Sequence, residues 1–349
     1  MNKSFWKDKK VLVTGHTGFK GSWLSTLLFY LGSKVYGYSL PPLSTPNLYD
    51  KIKLKDILSG EFLNDIRDFH KIKEFINDIK PDVIFHLAAQ PLVISSYINP
   101  RETYDINIMG TVNILENIRN CNYIQSAVIV TSDKCYRNNE WLWSYRENDI
   151  LGGIDPYSAS KACAELIVDS YRRIFEDNSL FPLHTVRAGN VIGGGDWAEF
   201  RLVPDIIRAQ KYSKKIKIRY PNSIRPWQHV LDALSGYIKL AELKSIEVKE
   251  SGSSWNFGPS DFDNISVINL IKLFKEKISF DYEIEIPTIK EMYSLKLDTS
   301  KARSLLLWKP KLSLNDSIDL TIDWYLKNEI SNSNMMEITL NQIEKYYSL

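Results

Sequence analysis

The chain predicts an α/β fold, a doubly wound parallel sheet with a smaller mixed α/β C-terminal region, and three observations lead there. From about residue 10 to residue 190, short β-branched runs alternate with stretches whose apolar residues recur at helical spacing. A glycine-rich turn follows the first of those runs directly. Past residue 190 the alternation loosens into short strands and isolated helices.

Taken in order, strands are expected at "KVLVT" (10–14), "KVYGY" (34–38), "EFLND" (61–65), "DVIFHLA" (82–88), "SAVIVTS" (126–132) and "LHTVRAG" (183–189), each a short run bounded by turn residues. The intervening "GSWLSTLLFYL", "RDFHKIKEFINDI", "PRETYDINIMGTVNILENIRN" (100–120) and "PYSASKACAELIVDSYRRIFE" (156–176) read as helices. Six strands joined by helical crossovers make the doubly wound sheet. Further on, "VPDIIRAQKYS" and "VINLIKLFKEK" read as helices, the second capped by Ser266, and "SNSNMM" (331–336) as a polar linker to a short terminal helix. The expected division is residues 1–190 for dinucleotide binding and 191–349 for the substrate, the two interleaved.

With 349 residues, 44% of them apolar, the chain can bury a full core. Its 44 basic and 42 acidic residues leave a formal charge of +2, so bulk electrostatics point to no nucleic acid and no anionic membrane. An anionic small molecule would need a discrete local site. Cys121, Cys135 and Cys163 lack C-x-x-C spacing, the five histidines are scattered, and neither a disulfide framework nor a metal site is expected. The N-terminal segment has no signal-type apolar run, which fits a reducing cytoplasm.

"VLVTGHTGFKGSWL" places Gly15, Gly18 and Gly21 between the first strand and the first helix. There the backbone must turn sharply, approach a pyrophosphate, and leave a helix N-terminus aimed at the anion. His16, Thr17, Phe19 and Lys20 share that turn and are expected around the same cofactor. At the end of the second strand, where an acid would hold the adenosine ribose, stands Ser39, with no arginine beside it for a 2′-phosphate. That leaves NAD favoured over NADP by a narrow margin. Asp65, ending the third strand, can reach the adenine amino group or equally cap the next helix.

Tyr-x-x-x-Lys occurs as Tyr30/Lys34, Tyr49/Lys53 and Tyr157/Lys161. Only the third pair lies one turn apart on a strong helix, opened by Pro156 and downstream of the fifth strand's Ser132. A phenol of pKa about 10 is too protonated at neutral pH to accept a hydroxyl proton, and lowering it by about 3 units takes roughly 4 kcal/mol. An ammonium at about 5 Å in an effective dielectric of about 20 supplies roughly 3 kcal/mol, and the helix N-terminus adds to it. Ser132 can hold the substrate oxygen against Tyr157.

Together "GHTGFKGSWL", "HLAAQPLV", "TSDKCY", "PYSASKACAE", "RAGNVIGGGDW" and "RPWQHV" resemble, in order, the extended short-chain dehydrogenase/reductase family, and within it the nucleotide-sugar 4,6-dehydratases, over about residues 8 to 310. The resemblance implies a Rossmann domain with NAD as cofactor. It places Gly15, Gly18 and Gly21 at the pyrophosphate, Asp65 and Ile66 at the adenine, Leu87, Ala88, Ala89 and Thr131 along the dinucleotide, and Tyr157 with Lys161 at the nicotinamide ribose. It also implies Asn190, Arg201, Leu202, Arg219 and Arg225 at the substrate's nucleoside diphosphate, where guanidinium forks suit the anion. CDP-glucose is the implied substrate, its base resting on the resemblance alone.

The implied reaction oxidises C4, eliminates water across C5 and C6, and returns the hydride to C6. Asp133 and Lys134 follow Ser132, and relatives acting on thymidine nucleotides have a glutamate base where Lys134 stands. Two roles stay open: Lys134 as an uncharged amine taking the C5 proton while Asp133 protonates the departing hydroxyl, or Lys134 as a cation steadying the enolate. A 4-epimerase, a dehydratase for another nucleotide-hexose and a non-catalytic redox-sensing binder are the competing functions. Asn107 is expected to brace the active-site backbone and His86 to sit satisfied in the core. Family members pair through the helices carrying Asn107 and Tyr157, so a homodimer or homotetramer is implied, with a place in deoxysugar supply for lipopolysaccharide O-antigen.

Overall fold

The computed structural model describes residues 2–119, 121–175, 182–243, 253–260, 263–285 and 292–349. Strands β1 (Lys10–Thr14), β2 (Lys34–Ser39), β3 (Gly60–Leu63), β4 (Val83–His86), β5 (Ser126–Val130) and β6 (Leu183–Ala188) form where the β-branched runs stand. Six follow: β7 (Asn190–Ile192), β8 (Lys215–Ile218), β9 (Ile224–His229), β10 (Ser254–Phe257), β11 (Asn264–Ser266) and β12 (Asp281–Ile284). The main sheet runs β10-β6-β5-β4-β1-β2-β3 with every pairing parallel. Its growth reverses between β1 and β4, and the crevice beyond their carboxyl ends is the place where such sheets bind ligands.

Alternation along each strand feeds two cores. Val11 and Val13 of β1 face one, with Trp23, Leu24 and Leu27 of the helix Phe19–Tyr30; Leu12 faces the other, with Ile72, Ile76 and Ile114. A third core, built on Ile206, Trp227, Leu270 and Phe274, lies under the three-stranded sheet β11-β9-β7 and the pair β12-β8.

Four details differ from the sequence reading. The main sheet has seven strands rather than six, because "SWNF" returns from the second half to pair with β6, with Trp255 and Phe257 buried in the first core. Four residues carry too little pattern to be seen. β3, β4, β5 and β6 end early, so Asp65, Ala88, Thr131, Ser132 and Gly189 lie in the loops at the carboxyl edge. The expected helix 100–120 is Pro100–Tyr104, a π turn at Asp105–Met109 and Gly110–Ile118. The terminal helix already begins at Met335, capped by Asn334, which takes two residues from the linker. Asn120 and Glu176, the last residues of two expected helices, lie outside the described residues. Ser266 caps its helix as expected, accepting from the Asn269 amide. No helix among the described residues is long and apolar enough to cross a membrane.

Candidate active site

A cleft of about 1050 Å³ opens at the carboxyl ends of β1, β4 and β5 and is walled on its far side by residues from the second half. Its volume exceeds the upper end of the usual range for a single small-molecule site, about 1,000 Å³.

The glycine turn forms one end. Gly15 has φ of 74°, and a Cβ there would lie 2.7 Å from the Ala88 nitrogen; a Cβ on Gly21 would lie 2.1 Å from the Gly15 carbonyl oxygen. Those two glycines let the turn pack against the sheet. Gly18, the exposed N-cap of Phe19–Tyr30, supplies no side-chain cap, so the first amides of that helix face outward. A cradle of this kind fits a dinucleotide pyrophosphate. Thr17, Phe19 and Lys20 line the cleft with the three glycines.

His16 does not line it. The ring turns beneath the loop and is fully buried, with Nε2 3.1 Å from Glu61 Oε2 and its face against Gly37, whose missing side chain makes the room. Burial, partly offset by Glu61, lowers its pKa. The His16 side chain therefore faces away from the cleft, while Gly15, Thr17, Gly18, Phe19, Lys20 and Gly21 line it.

Ser39 and Thr17 share a 2.8 Å hydrogen bond, so a hydroxyl pair occupies the place where an acid would hold ribose. Asp65 and Ile66 line the cleft. Asp65 grips Arg67, with Nη2 2.6 Å from Oδ2, while the following helix is capped by Asp68, which removes the capping role for Asp65. Leu87, Ala88, Ala89 and Thr131 line the same cleft.

The end of β5 carries Ser132, Asp133 and Lys134, the groups expected to do acid–base work. Ser132 Oγ donates to Asp133 Oδ1 at 3.0 Å and accepts from the Lys134 amide at 3.2 Å. Asp133 is buried, and its Oδ2 has no hydrogen-bond partner among the described residues. A Cβ on Gly189 would come within 3.1 Å of that oxygen. Lys134 also lines the cleft, but it is half-buried rather than buried.

Facing this turn is the helix Pro156–Phe175. Asp155 caps it, accepting from the Ser158 amide at 2.9 Å and the Ser158 hydroxyl at 2.6 Å. Tyr157 and Lys161 are 8% and 7% exposed and line the cleft together. In the protein alone burial pushes Tyr157 up to about 12; a hydrogen bond with Ser132 and the Arg201 guanidinium pull it back, and Asp133 opposes them. Lys161, one turn further along the helix, donates from Nζ to Val130 O at 3.1 Å, and burial, then the Lys20 cation, lower it to about 8.

Two cations, Lys20 and Arg201, act electrostatically on these groups. Lys20, lowered to about 8 by burial and then by Arg201, has Asp133 and Asp196 as its attracting neighbours. Arg201 donates to Asp196 Oδ2 at 2.9 Å, and Asp196 raises its pKa. Asp196 escaped the sequence reading although it sits in the quoted "GGGDW". Asn190, Leu202, Arg219 and Arg225 line the far wall. Arg225 is partly engaged already, its two Nη atoms donating to Ile224 O at 2.9 Å and Met292 O at 2.7 Å.

The bracing residues behave as expected. Asn107 accepts from the Gln90 amide at 2.8 Å and donates to Gln90 O at 3.1 Å and Ser160 Oγ at 2.8 Å, tying the π turn to the catalytic helix. His86 Nδ1 lies 2.7 Å from Thr14 Oγ1, and burial lowers its pKa to about 3.

Residues 12–321 match the family described as GDP-mannose 4,6 dehydratase. The CDP-glucose 4,6-dehydratase of Salmonella typhimurium is 44% identical over 357 residues, covering 100% of this chain and 99% of the relative. CDP-paratose 2-epimerase of Salmonella typhi is 28% identical, covering 90% and 98%. Among solved structures, a dTDP-glucose 4,6-dehydratase from Bacillus anthracis in complex with NAD superposes with TM-score 0.77 at 23% identity, covering 92% and 97%. A UDP-glucose 4-epimerase from Thermotoga maritima with UDP-glucose does so with TM-score 0.79 at 24% identity, covering 91% and 99%. At those identities the structures establish the fold alone. By the family match and the full-length relative, this chain belongs to the GDP-mannose 4,6 dehydratase family.

Proposed function

We propose that the protein is an NAD-dependent lyase that removes water from CDP-glucose, giving CDP-4-dehydro-6-deoxyglucose. The observation that carries this is the sharing of one cleft by two sets of groups: Tyr157, Lys161 and Ser132 for a hydroxyl proton, Asp133 and Lys134 for an elimination. The relative at 44% identity, a CDP-glucose 4,6-dehydratase, supports the same substrate.

The turn residues Gly15, Thr17, Gly18, Phe19 and Gly21 would hold the pyrophosphate, Asp65 and Ile66 the adenine, Leu87, Ala88, Ala89 and Thr131 the middle, and Tyr157 with Lys161 the nicotinamide ribose. Bound there, the dinucleotide supplies a reversible hydride acceptor. Asn190, Leu202, Arg219 and Arg225 would hold the nucleoside diphosphate from the second half.

Tyr157 accepts the C4 hydroxyl proton as that carbon gives up its hydride, with Ser132 fixing the oxygen. The C4 ketone then acidifies C5. Lys134 takes the C5 proton, and Asp133 protonates the C6 hydroxyl so that it departs as water. With the hydride back on C6 and a proton back on C5, one water has been lost and no net oxidation has occurred. The unpartnered Asp133 Oδ2 leaves that oxygen open toward a substrate hydroxyl, which supports its role beside C6.

Residues 1–190 as the dinucleotide unit and 191–349 as the substrate unit, a cytoplasmic setting, a homodimer or homotetramer and O-antigen deoxysugar supply belong to the same proposal. Incubation with CDP-, dTDP-, UDP- and GDP-glucose tests it. The expected outcome is a product whose ultraviolet absorbance appears in alkali, formed fastest from CDP-glucose. Isomerised hexose without that absorbance would instead establish a 4-epimerase. Lys134→Gln should retain C4 oxidation and lose exchange of the C5 proton with solvent; normal exchange would leave Lys134 as the cation beside the enolate.

A further inference from the structure

We propose that the buried ion pair Glu165–Arg187 is a positioning device that holds the acid–base turn Ser132–Lys134 in register with Tyr157 and Lys161. The inference rests on the dehydratase reading above. Neither residue touches the cleft, and the pair is 1% and 2% exposed.

Glu165 stands one helical turn beyond Lys161 and two beyond Tyr157, on the same face of the catalytic helix. Its Oε1 accepts from Thr131 Oγ1, on the residue just before Ser132. Its Oε2 accepts from Arg187 Nη2 at 2.8 Å, Thr185 Oγ1 at 2.7 Å and Ser254 Oγ at 3.1 Å, which brings β6 and β10 to the same carboxylate. Arg187 continues the chain on the other side. Its Nη1 donates to Tyr136 Oη at 2.7 Å and Glu147 O at 3.0 Å, the guanidinium carbon lies 4.8 Å from the centre of the Tyr136 ring, and Tyr136 Oη donates to Asn256 Oδ1 at 2.8 Å.

The segment 131–136 is therefore tied at both ends to one ion pair, Thr131 through Glu165 and Tyr136 through Arg187, leaving Ser132, Asp133 and Lys134 between the anchors. A buried ion pair is a costly way to fill a sheet core unless its oxygens are satisfied, and four donors satisfy this carboxylate. Burial would raise Glu165, but Arg187 and those hydrogen bonds hold it down to about 2, so the brace stays charged at every working pH. Oxidation takes only Ser132 from the turn and its proton acceptor, Tyr157, from the helix itself. Elimination depends on where the turn places Asp133 and Lys134, so it is the step most exposed to slack in the brace.

Tyr136→Phe removes one hydroxyl between Arg187 and Asn256 and keeps the ring; Glu165→Gln keeps an acceptor for Thr131 and discharges the pair. The test follows dinucleotide reduction at 340 nm in a single turnover, exchange of the C5 proton, and amide hydrogen exchange across residues 131–136. Expected for Tyr136→Phe is elimination slowed about tenfold or more, with oxidation within about threefold of the parent, faster amide exchange in the turn, and a melting temperature lower by only a few degrees, since the buried Asn256 oxygen loses its donor. Glu165→Gln should show the same pattern more strongly, or fail to fold, in which case Tyr136→Phe decides. Equal loss of both steps, or no loss of either, overturns the proposal. A parent protein that releases no 4-keto product overturns the dehydratase reading instead, while amide exchange still reports on the brace.

Discussion

Lys161→Met asks what a charge inside the cleft costs the fold. Burial lowers the lysine from 10.5 to about 8, and each pH unit of that displacement corresponds to about 1.4 kcal/mol, so keeping the ammonium protonated at pH 7 costs roughly 3 kcal/mol. Methionine fills similar volume without the charge but forfeits the hydrogen bond to Val130 O, which returns about 1–1.5 kcal/mol. The net expectation is a gain of about 1–2 kcal/mol, or a melting temperature higher by roughly 2–4 °C, in protein stripped of nucleotide. The folded pKa lies below the unfolded one, so between about pH 8 and pH 10.5 the unfolded chain binds the extra proton and the parent gains stability as pH rises. The advantage of methionine must therefore shrink across that window. Calorimetry of both proteins from pH 7 to pH 10 reads it directly. A variant melting 2 °C or more below the parent at pH 7, or an advantage that grows above pH 8, would refute the argument. Turnover should fall by about 10²-fold or more in the same variant, since the nicotinamide ribose and Tyr157 lose their cationic neighbour.

Alanine at two glycines separates the fold from the cofactor. Gly21→Ala sets a Cβ 2.1 Å from the Gly15 carbonyl, so calorimetry should show lower stability together with weaker dinucleotide binding. Gly18→Ala meets protein no nearer than 3.4 Å; it should melt like the parent yet bind NAD about 100-fold more weakly by titration, and unchanged binding would remove the pyrophosphate from that turn. Arg201→Gln removes a cation that lowers Tyr157, so the rise of the oxidation rate with pH should move to higher pH and the rate constant at neutral pH should fall. A change in the Michaelis constant alone would return Arg201 to the diphosphate.

Much of the molecule was readable before folding because its signals are local. β-branched runs marked the first six strands, and the glycines of the turn, Tyr157 with Lys161 on one helix face, and Ser132–Lys134 at one strand end are each groups of covalent near neighbours whose geometry follows from the element that carries them. Ser266 and its cap were visible for the same reason. Where the reading failed, the information was not local. "SWNF" is a strand only because β6 offers it an edge, and the His16 ring turns under the glycine loop because Gly37, on the next strand, opens a space for it.

By itself, then, the order of residues determined the class of sheet, the glycine turn and the roster of candidate site residues, since periodicity and spacing dictate which groups share a helix face or a loop. Tertiary structure decided which charges meet. Arg201 beside Tyr157, Lys20 beside Asp133, and Glu165 joined to Thr131 and Arg187 across 34 and 22 residues of chain are encounters between separate elements. The strength of each depends on distance and exclusion of water, and neither exists until the sheet and its helices have packed.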